Sequence, residues 1–188
     1  MVGIMTNKIV VLAGFSGAGK SVLAKAIAST YGCEVVSVGG ILRENAKSEN
    51  RTLPTYLLRH GIKRAFEESR GLILSDTMQK LEKTSVVIDG MYDYEFFKIV
   101  ENKFGNDNLL VVGFGGGMME RMKRLRLSGK GLFNIFGDIP KIYVGAKKVM
   151  SKTSLSVVNA VSPNVAFLAC QKRLNEFLMQ PIKNGMTN

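Results

Sequence analysis

The sequence predicts an α/β fold in which a parallel β-sheet of about five strands is covered by helices on both faces. Short apolar runs rich in β-branched residues alternate with longer segments of helical periodicity along most of the 188 residues. Strands and helices that alternate in this way favour parallel strands joined by right-handed crossovers. At this length we expect one domain, residues 1–188, with a substantial buried core.

The apolar runs predict the strands, and the periodic segments between them predict the helices. Gly32 and Gly105 follow two of the periodic segments and are typical helix ends, and Pro54 suits the first turn of a helix. The predicted strands are 9–14, 33–39, 85–90, 109–114 and, near the C terminus, 165–170. The predicted helices are 21–32, 53–71, 73–83, 92–105, 118–129 and 171–180.

The composition is that of a globular protein with a strong positive charge. Hydrophobic residues make up 46% and charged residues 22%, which argues against disorder. The formal net charge is +11, and most of it lies at residues 121–152, where nine basic residues accompany a single acid, Asp138. Such a block attracts polyanions. Two interpretations remain open, a solvated basic surface and a basic lid over bound phosphates.

Neither a membrane protein nor a disulfide-stabilised protein is expected. The apolar runs are far shorter than the ~20 residues that span a bilayer, and no signal-peptide pattern precedes the first strand. Cys33 and Cys170 are the only cysteines and lie far apart, which disfavours a disulfide framework or a metal cluster. We therefore expect a cytoplasmic protein with no membrane partner.

The stretch GFSGAGKS, residues 14–21, matches the phosphate-binding pattern G-x-x-x-x-G-K-[ST] at every fixed position. Glycines in such a loop let backbone N–H groups converge on phosphate oxygens, and the positive end of the following helix faces the same oxygens. The preceding strand and the following helix favour this loop over a glycine-rich turn with an incidental lysine. The residues expected to bind the nucleotide are Gly14, Ser16, Gly17, Ala18, Gly19, Lys20, Ser21 and Val22.

The loop predicts ATP and Mg²⁺ as cofactors. Lys20 is expected to reach the β- and γ-phosphates, and the Ser21 hydroxyl to ligate Mg²⁺. Asp89 ends the apolar run VVID, so its carboxylate emerges at the carboxyl edge of a buried strand, where ligands of open α/β sheets bind. There Asp89 is expected to hold a water on the same metal ion. The alternative role for Asp89 is to begin a D-G turn.

Four pieces of sequence occur in the order found in one kinase family. They are GFSGAGKS, VVSVGGILRENAK (35–47), VVIDGMYDYEFFKIVENKFGND (86–107), and LLVVGF followed by RMKRL (121–125). With these pieces the chain resembles the nucleoside-monophosphate-kinase branch of P-loop kinases, most closely the archaeal group related to adenylate kinase and dephospho-coenzyme-A kinase. The resemblance implies a P-loop NTPase fold and transfer of the γ-phosphoryl group of ATP to a nucleoside monophosphate or a similar phosphorylated small molecule.

The resemblance assigns the acceptor to a segment at about residues 40–70. Arg43, in GGILRE, matches the arginine with which such kinases grip the phosphate of the acceptor. A guanidinium fork suits this role because it can hold two phosphate oxygens at once. The alternative is a surface arginine in the first turns of a helix.

The resemblance also implies a lid at about residues 118–152. Arg121 and Arg124 match the R-x-x-R-L pattern at its base, where they would clamp ATP or neutralise charge on the transferred group. Together with Lys20 and Asp89 they form the implied catalytic set. Solvated helix charges are the alternative for both arginines.

The chain departs from the family pattern at three places. Gly40 stands where an aspartate usually precedes the acceptor-binding helix, and Tyr92 stands where the closest group has an arginine. The lid usually brings R-x-R followed by an aspartate, whereas this chain has Lys130 and the more distant Asp138. These departures leave a second hypothesis, a nucleotide-dependent ATPase-like module that binds nucleic acid or a partner through residues 121–152, with weak or no kinase activity. The sequence predicts neither the acceptor nor the oligomeric state.

Overall fold

The computed structural model of the protein describes residues 7–127, 138–158 and 163–179. The strands are β1 (Ile9–Gly14), β2 (Glu34–Ser37), β3 (Val86–Asp89), β4 (Leu109–Gly115) and β5 (Leu155–Val158). The helices are α1 (Lys20–Tyr31), α2 (Val38–Ser48), α3 (Leu53–His60), α4 (Ile62–Leu81), α5 (Tyr94–Phe104), α6 (Met118–Leu127), α7 (Asp138–Tyr143), α8 (Ala146–Met150) and α9 (Pro163–Leu178). A short 3-10 helix, Asn106–Asn108, precedes β4.

The five strands form one parallel sheet in the order β2-β3-β1-β4-β5. β1 is central and pairs with β3 on one side and with β4 on the other. Parallel neighbours cannot be joined by hairpins, so the connections cross over the sheet. Helices α1 to α8 lie in these connections, and α9 follows the last strand.

The side chains of β1 alternate between two hydrophobic layers. Ile9, Val11 and Ala13 belong to the layer shared with α2, α4, α5 and α8, whereas Val10 and Leu12 belong to the layer shared with α1 and α9. All five side chains are buried. Because helices cover both faces, the strand is a continuous apolar run with no polar alternation. The predicted parallel sheet with helices on both faces is therefore confirmed.

The last strand differs from the prediction. Residues 165–170, predicted as a strand, lie inside α9, and the fifth strand is Leu155–Val158. The buried residues of α9 are Ala166, Cys170, Leu174 and Phe177. Their spacing of three and four residues is that of one helix face. The apolar run VAFLAC is thus the start of the apolar face of a longer helix, which continues to Leu178.

The predicted second strand, 33–39, is shorter in the structure because a helix begins within it. The Ser37 hydroxyl accepts a hydrogen bond from the backbone N–H of Gly40 at 3.1 Å and so caps α2. Gly39 and Gly40 therefore lie in the first turn of α2 and do not form a loop after the strand.

The helical region after α2 breaks ten residues earlier than the sequence predicts. The predicted helices 53–71 and 73–83 meet near Gly71, whereas the structure breaks at Gly61, between α3 and α4. Gly71 lies inside α4, the longest of the described helices at 20 residues. Neither α4 nor any other helix of the described residues is long and apolar enough to cross a membrane.

The carboxyl ends of three neighbouring strands lie side by side. Ser37 of β2 is in register with Asp89 of β3, and Asp89 is in register with Leu12 of β1. Gly14 ends β1 and opens the glycine-rich stretch. The topology therefore brings this stretch and Asp89 to one edge of the sheet, the edge at which ligands of open α/β sheets bind.

Candidate active site

The phosphate loop leaves β1 at Gly14 and enters α1 at Lys20. Gly14, Gly17 and Gly19 have φ angles of 139°, 74° and 97°, a region that residues with side chains rarely adopt. Gly19 is the N-cap of α1, and no side chain of the described residues caps this helix. A helix start without a side-chain cap suits an anionic ligand, because its N–H groups lack partners within the helix.

Helix α6 lies directly against the loop at Gly17. A Cβ atom on Gly17 would stand 2.7 Å from the carbonyl oxygen of Arg121 and 3.0 Å from the side chain of the buried Leu125. Arg121 and Arg124 donate hydrogen bonds to loop carbonyls, to that of Ser16 at 3.0 Å and to that of Gly17 at 3.4 Å. Residue 17 must therefore be glycine for two reasons, its φ angle and the closeness of α6.

Lys20 is buried in the loop, with 6% of its surface exposed. Its Nζ donates a hydrogen bond to the carbonyl of Phe15 at 2.8 Å and lies 5.4 Å from the centre of the Tyr92 ring. Burial and, second, the charge of Lys141 lower the pKa of Lys20 to about 7, although the charge of Asp89 opposes both. An amine in this state gains strongly from a bound anion.

A tight backbone turn holds Asp89 at the end of β3. The N–H groups of Gly90 and Met91 both donate to the carbonyl of Leu12 in β1, each at 3.1 Å. Gly90 has a φ angle of 94°, and a Cβ atom there would stand 2.6 Å from the Tyr92 hydroxyl. The D-G turn is therefore present, and it leaves the buried Asp89 carboxylate at the same edge as the phosphate loop.

A buried ion pair fixes the segment that follows this turn. Asp93 caps α5 by accepting the N–H groups of Glu95 and Phe96 at 3.0 and 3.3 Å. Arg70 of α4 donates to both oxygens of the same carboxylate, at 2.6 and 3.0 Å. Bidentate pairs of this kind restrict geometry strongly. The pair ties α4 to the start of α5 and so holds Tyr92 beside the loop.

A carboxylate from within the basic block of residues 121–152 lies on the phosphate loop. Asp138, at the start of α7, accepts the backbone N–H of Ser16 through Oδ1 at 2.9 Å. Arg121 donates to its Oδ2 at 2.6 Å, and Lys141 donates to its Oδ1 at 3.2 Å. Lys141 also donates to the Ser16 hydroxyl. The side chains of Asp138, Arg121 and Lys141 are 8%, 12% and 15% exposed, so this group of charges is largely removed from water.

The contacts of Asp138 set the charge states of this group. Burial alone would raise the pKa of Asp138, but the Ser16 N–H, Arg121 and Lys141 together hold that pKa below its usual range. Burial lowers the pKa of Lys141, and the charge of Asp138 opposes that effect. Asp138 is therefore a carboxylate at neutral pH. Asp138 is the nearest counter-ion to Arg121 and Lys141, which are both largely buried.

The remaining predicted residues lie around the same edge. Ser21 and Val22 are exposed in the first turn of α1. Arg43 is exposed on α2 and folds back over Gly39. Its charge acts on the hydroxyl of Tyr92, whose pKa is raised chiefly by burial. Residues 7–127, 138–158 and 163–179 contain no group of three His, Cys, Asp or Glu side chains able to hold a metal ion by themselves.

Sequence reasoning missed the part played by Lys141 and gave Asp138 only as a distant candidate for the lid. Two signals were available, the i, i+3 spacing of the pair and the isolation of Asp138 as the one acid among nine bases. Neither signal points to Ser16, which lies 122 residues earlier in the chain. The contact depends on how α6 and α7 fold back over the loop.

One family model matches the chain. The model, described as an AAA domain, covers residues 13–126 of the 188, and thus includes the phosphate loop, Asp89 and Arg121. No curated protein matches the sequence significantly.

Solved structures share the fold of almost the whole chain. The structure of shikimate kinase from Acinetobacter baumannii in complex with shikimate matches with a TM-score of 0.63 and 15% identity, over 95% of this chain and 97% of that one. A gluconokinase from Sinorhizobium meliloti 1021 matches with a TM-score of 0.63 and 18% identity, over 93% and 95% of the two chains. Likeness at such identities shows the fold, so the predicted P-loop NTPase fold is confirmed.

We predict that Gly17→Ala destabilises the protein more than Gly32→Ala and also weakens ATP binding. Both glycines have positive φ angles, 74° and 66°, but only a Cβ on Gly17 would meet the Arg121 carbonyl. The free energy of unfolding, measured by urea denaturation, should fall by about 1–2 kcal/mol for Gly32→Ala and about 2–5 kcal/mol for Gly17→Ala. Equal losses with unchanged ATP affinity would contradict the importance of the contact with α6.

We predict that Lys20→Met stabilises the ligand-free protein and flattens its pH profile. With a pKa of about 7 when folded and 10.5 when unfolded, Lys20 binds fewer protons in the folded state between these values. Its contribution to stability therefore rises with pH across this window and is least favourable below about pH 7. Lys20→Met should remove this rise and increase the free energy of unfolding at neutral pH by about 1–2 kcal/mol.

The control for this measurement is Lys25→Met, which removes an exposed lysine from the same helix. It should leave both the stability and the pH profile as in the wild type. A Lys20→Met variant that is less stable than the wild type at neutral pH would show that burial does not disfavour the Lys20 charge.

Proposed function

The chain belongs to the AAA domain family, whose model spans more than half of its length, and from that premise we propose that it is an ATP-binding P-loop kinase. The proposed reaction transfers the γ-phosphoryl group of ATP to a small acceptor molecule. The observation that carries this proposal is the loop of residues 14–21, where positive-φ glycines, an uncapped helix start and the buried Lys20 meet beside Asp89.

The residues of the loop fit the triphosphate of ATP. The backbone N–H of Ser16 already holds the carboxylate of Asp138, so at least this part of the loop has the geometry to bind an anionic oxygen. Lys20 would neutralise the β- and γ-phosphates, and the Ser21 hydroxyl together with Asp89 would hold Mg²⁺. When bound, Mg²⁺ supplies further neutralisation of charge on the phosphates. The proposed nucleotide-binding residues are Gly14, Ser16, Gly17, Ala18, Gly19, Lys20, Ser21 and Val22.

Catalysis in the proposed reaction is electrostatic. Arg121 and Arg124 are proposed to stabilise negative charge on the transferred group, together with Lys20 and Asp89. Both arginines already donate hydrogen bonds to the loop, so their guanidinium groups are held close to the proposed phosphate site. The lid is proposed to extend over residues 118–152.

The proposed acceptor is a nucleoside monophosphate or a similar phosphorylated small molecule, as in the archaeal group related to adenylate kinase and dephospho-coenzyme-A kinase. Arg43 would bind its phosphate, in a segment at about residues 40–70. Ala46, Tyr56 and Ala65 form a small core of their own between α2, α3 and α4, so this segment can act as one unit. The solved structures that share this fold include a shikimate kinase and a gluconokinase, which supports a small-molecule acceptor.

Nucleic-acid binding through residues 121–152 is the weaker candidate. Binding to a phosphate backbone requires exposed cations. Among the described residues, five cations of the block are exposed, Lys123, Arg126, Lys147, Lys148 and Lys152. The two cations nearest the loop, Arg121 and Lys141, instead direct their charge into it, where they are 12% and 15% exposed. We therefore favour a single-domain kinase over residues 1–188 that acts on a small molecule, and we propose a cytoplasmic location for it.

We predict that ADP release requires both a small acceptor and Lys20. A coupled assay with Mg²⁺ and ATP should be run with AMP, CMP, GMP, UMP, dTMP, dephospho-coenzyme A, shikimate and gluconate in turn. Lys20→Ala should lower kcat at least about 100-fold, because a buried cation at the transferred group is lost. Lys25→Ala should retain wild-type turnover. Unchanged activity of Lys20→Ala would exclude the proposed mechanism, and equal ADP release without any acceptor would indicate an ATPase.

We predict that Arg43→Ala raises the KM for the acceptor found in that assay and leaves the KM for ATP unchanged. The expected rise is about 10- to 100-fold, the effect of losing hydrogen bonds to a charged group. Arg43→Lys should recover part of the loss, since a lysine provides charge but not the bidentate fork. Arg173→Ala, on the exposed face of α9, is the control. Equal rises in both KM values would contradict a role confined to the acceptor.

A further inference from the structure

Three donors from separate parts of the chain converge on one buried anion at the phosphate loop. They are the N–H of Ser16, the guanidinium of Arg121 in α6 and the ammonium of Lys141 in α7, and the anion is the carboxylate of Asp138. A backbone N–H of a glycine-rich loop, an arginine and a lysine together form a donor set suited to phosphoryl oxygens. The carboxylate thus lies in a site that also fits a phosphoryl group.

This anion site is continuous with the position of Lys20. Besides burial, the pKa of Lys20 responds to the charges of Lys141, Asp138 and Arg121. Lys20 and Lys141 also lie over the same ring, at 5.4 and 4.7 Å from the centre of Tyr92. An anion bound by Arg121 and Lys141 would therefore interact with Lys20 as well.

We propose that this anion site takes the terminal phosphoryl group of a bound nucleoside triphosphate and that Asp138 is an internal competitor for the site. Arg121 and Lys141 hold Asp138 before the nucleotide binds, and they hold phosphoryl oxygens afterwards. The inference rests on the ATP binding proposed above and deepens it, since the phosphate-loop pattern contains neither Asp138 nor Lys141.

The position of Ser16 favours the terminal phosphoryl group over the inner ones. Gly19, Lys20 and Ser21 lie at the start of α1, whereas Ser16 precedes Gly17 in the part of the loop that contacts α6. The phosphate-loop pattern assigns Lys20 to the outer phosphates. Arg121 and Lys141, the cations nearest to Lys20, are therefore best placed to bind the terminal phosphoryl group.

The contacts of Asp138 do not suit a general base or a metal ligand. Its two oxygens already accept hydrogen bonds from Ser16, Arg121 and Lys141, and these donors lower its pKa. A carboxylate held in this way has little affinity for a further proton. The two adjacent cations would also repel a metal ion.

A competing carboxylate has two opposite effects. It lowers the apparent affinity for the triphosphate, because only molecules in which Asp138 has left the site can bind it fully. It stabilises the ligand-free protein, because Arg121 and Lys141 would otherwise be buried without a counter-ion. Removing Asp138 should therefore tighten ATP binding and destabilise the free protein. A residue with a purely structural role would not produce this combination.

The test compares Asp138→Asn with Asp107→Asn, which removes the same charge from an exposed position in the short helix before β4. Titration calorimetry measures two dissociation constants, that of ADP and that of the β,γ-methylene analogue of ATP. Each is measured once with Mg²⁺ and once with EDTA. Asp138→Asn should bind the ATP analogue about tenfold more tightly than the wild type in both buffers, and ADP with unchanged affinity. Asp107→Asn should match the wild type throughout.

Thermal unfolding provides a second readout that does not involve a nucleotide. Without ligand, Asp138→Asn should melt at a lower temperature than the wild type, because two buried cations lose their counter-ion. Inorganic phosphate at millimolar concentration should raise the melting temperature of Asp138→Asn more than that of the wild type.

Lys141→Met keeps the proposal testable if Asp138→Asn does not fold. This variant should bind the ATP analogue about tenfold more weakly than the wild type and ADP equally well, as expected for loss of one charged hydrogen bond. In the Lys141→Met background, Asp138→Asn should increase the affinity for the ATP analogue less than it does in the wild type, since the two residues act on the same site.

Unchanged or weaker binding of the ATP analogue by Asp138→Asn would overturn the proposal. An increase in affinity for ADP as large as that for the ATP analogue would also overturn it. Weaker binding that occurs only with Mg²⁺ would make Asp138 a metal-site residue and would overturn it as well. If the wild-type protein binds neither the analogue nor ADP, the proposed function itself is refuted. The two failures are therefore distinguishable.

Discussion

The packing of α6 against the phosphate loop at Gly17 is the contact on which the rest of the site depends. It brings Arg121 within hydrogen-bond distance of the Ser16 carbonyl, and Arg121 in turn holds Asp138 against the N–H of Ser16. The charge of Arg121, held there by the same packing, also lowers the pKa of Lys20, after the larger effects of burial and of Lys141. Only a glycine permits this approach, because a Cβ atom at residue 17 would meet the backbone of α6 at 2.7 Å.

The site concentrates positive charge where water has little access and neutralises only part of it. The basic side chains are Arg121, Lys141 and Lys20, whose pKa is about 7, and the nearby acidic side chains are Asp89 and Asp138. Cations in poorly hydrated surroundings cost stability unless a counter-ion is present. A polyanionic ligand relieves this cost when it binds. The low pKa of Lys20 and the affinity proposed for phosphates therefore have one physical cause.

The sequence predicted the parts of the structure that depend on local pattern. The loop of residues 14–21 is defined by glycines and a lysine at fixed spacing, and the sheet by alternating strands and helices. The run at 165–170 was wrongly predicted because a short apolar run fits either a strand or a buried helix. Only the spacing that continues to Phe177 identifies α9 as one helix. The contact of Asp138 with Ser16 spans 122 residues and has no local signature.

Two of the three departures from the kinase pattern balance each other in charge, and the structure brings a second balanced pair to the phosphate loop. Gly40 omits a carboxylate and Tyr92 omits a guanidinium, while Asp138 and Lys141 add one anion and one cation beside the loop. Lys141 lies 4.7 Å from the centre of the Tyr92 ring, so a cation remains at that point. A side chain at residue 40 would press on the Ser37 hydroxyl that caps α2, since its Cβ would stand 3.1 Å from that oxygen. The charge balance near Lys20 is thus maintained by residues of α7. Because Arg121 of α6 holds Asp138, the position of α7 depends on α6. The electrostatics of phosphate binding are therefore coupled to the packing of α6 and α7.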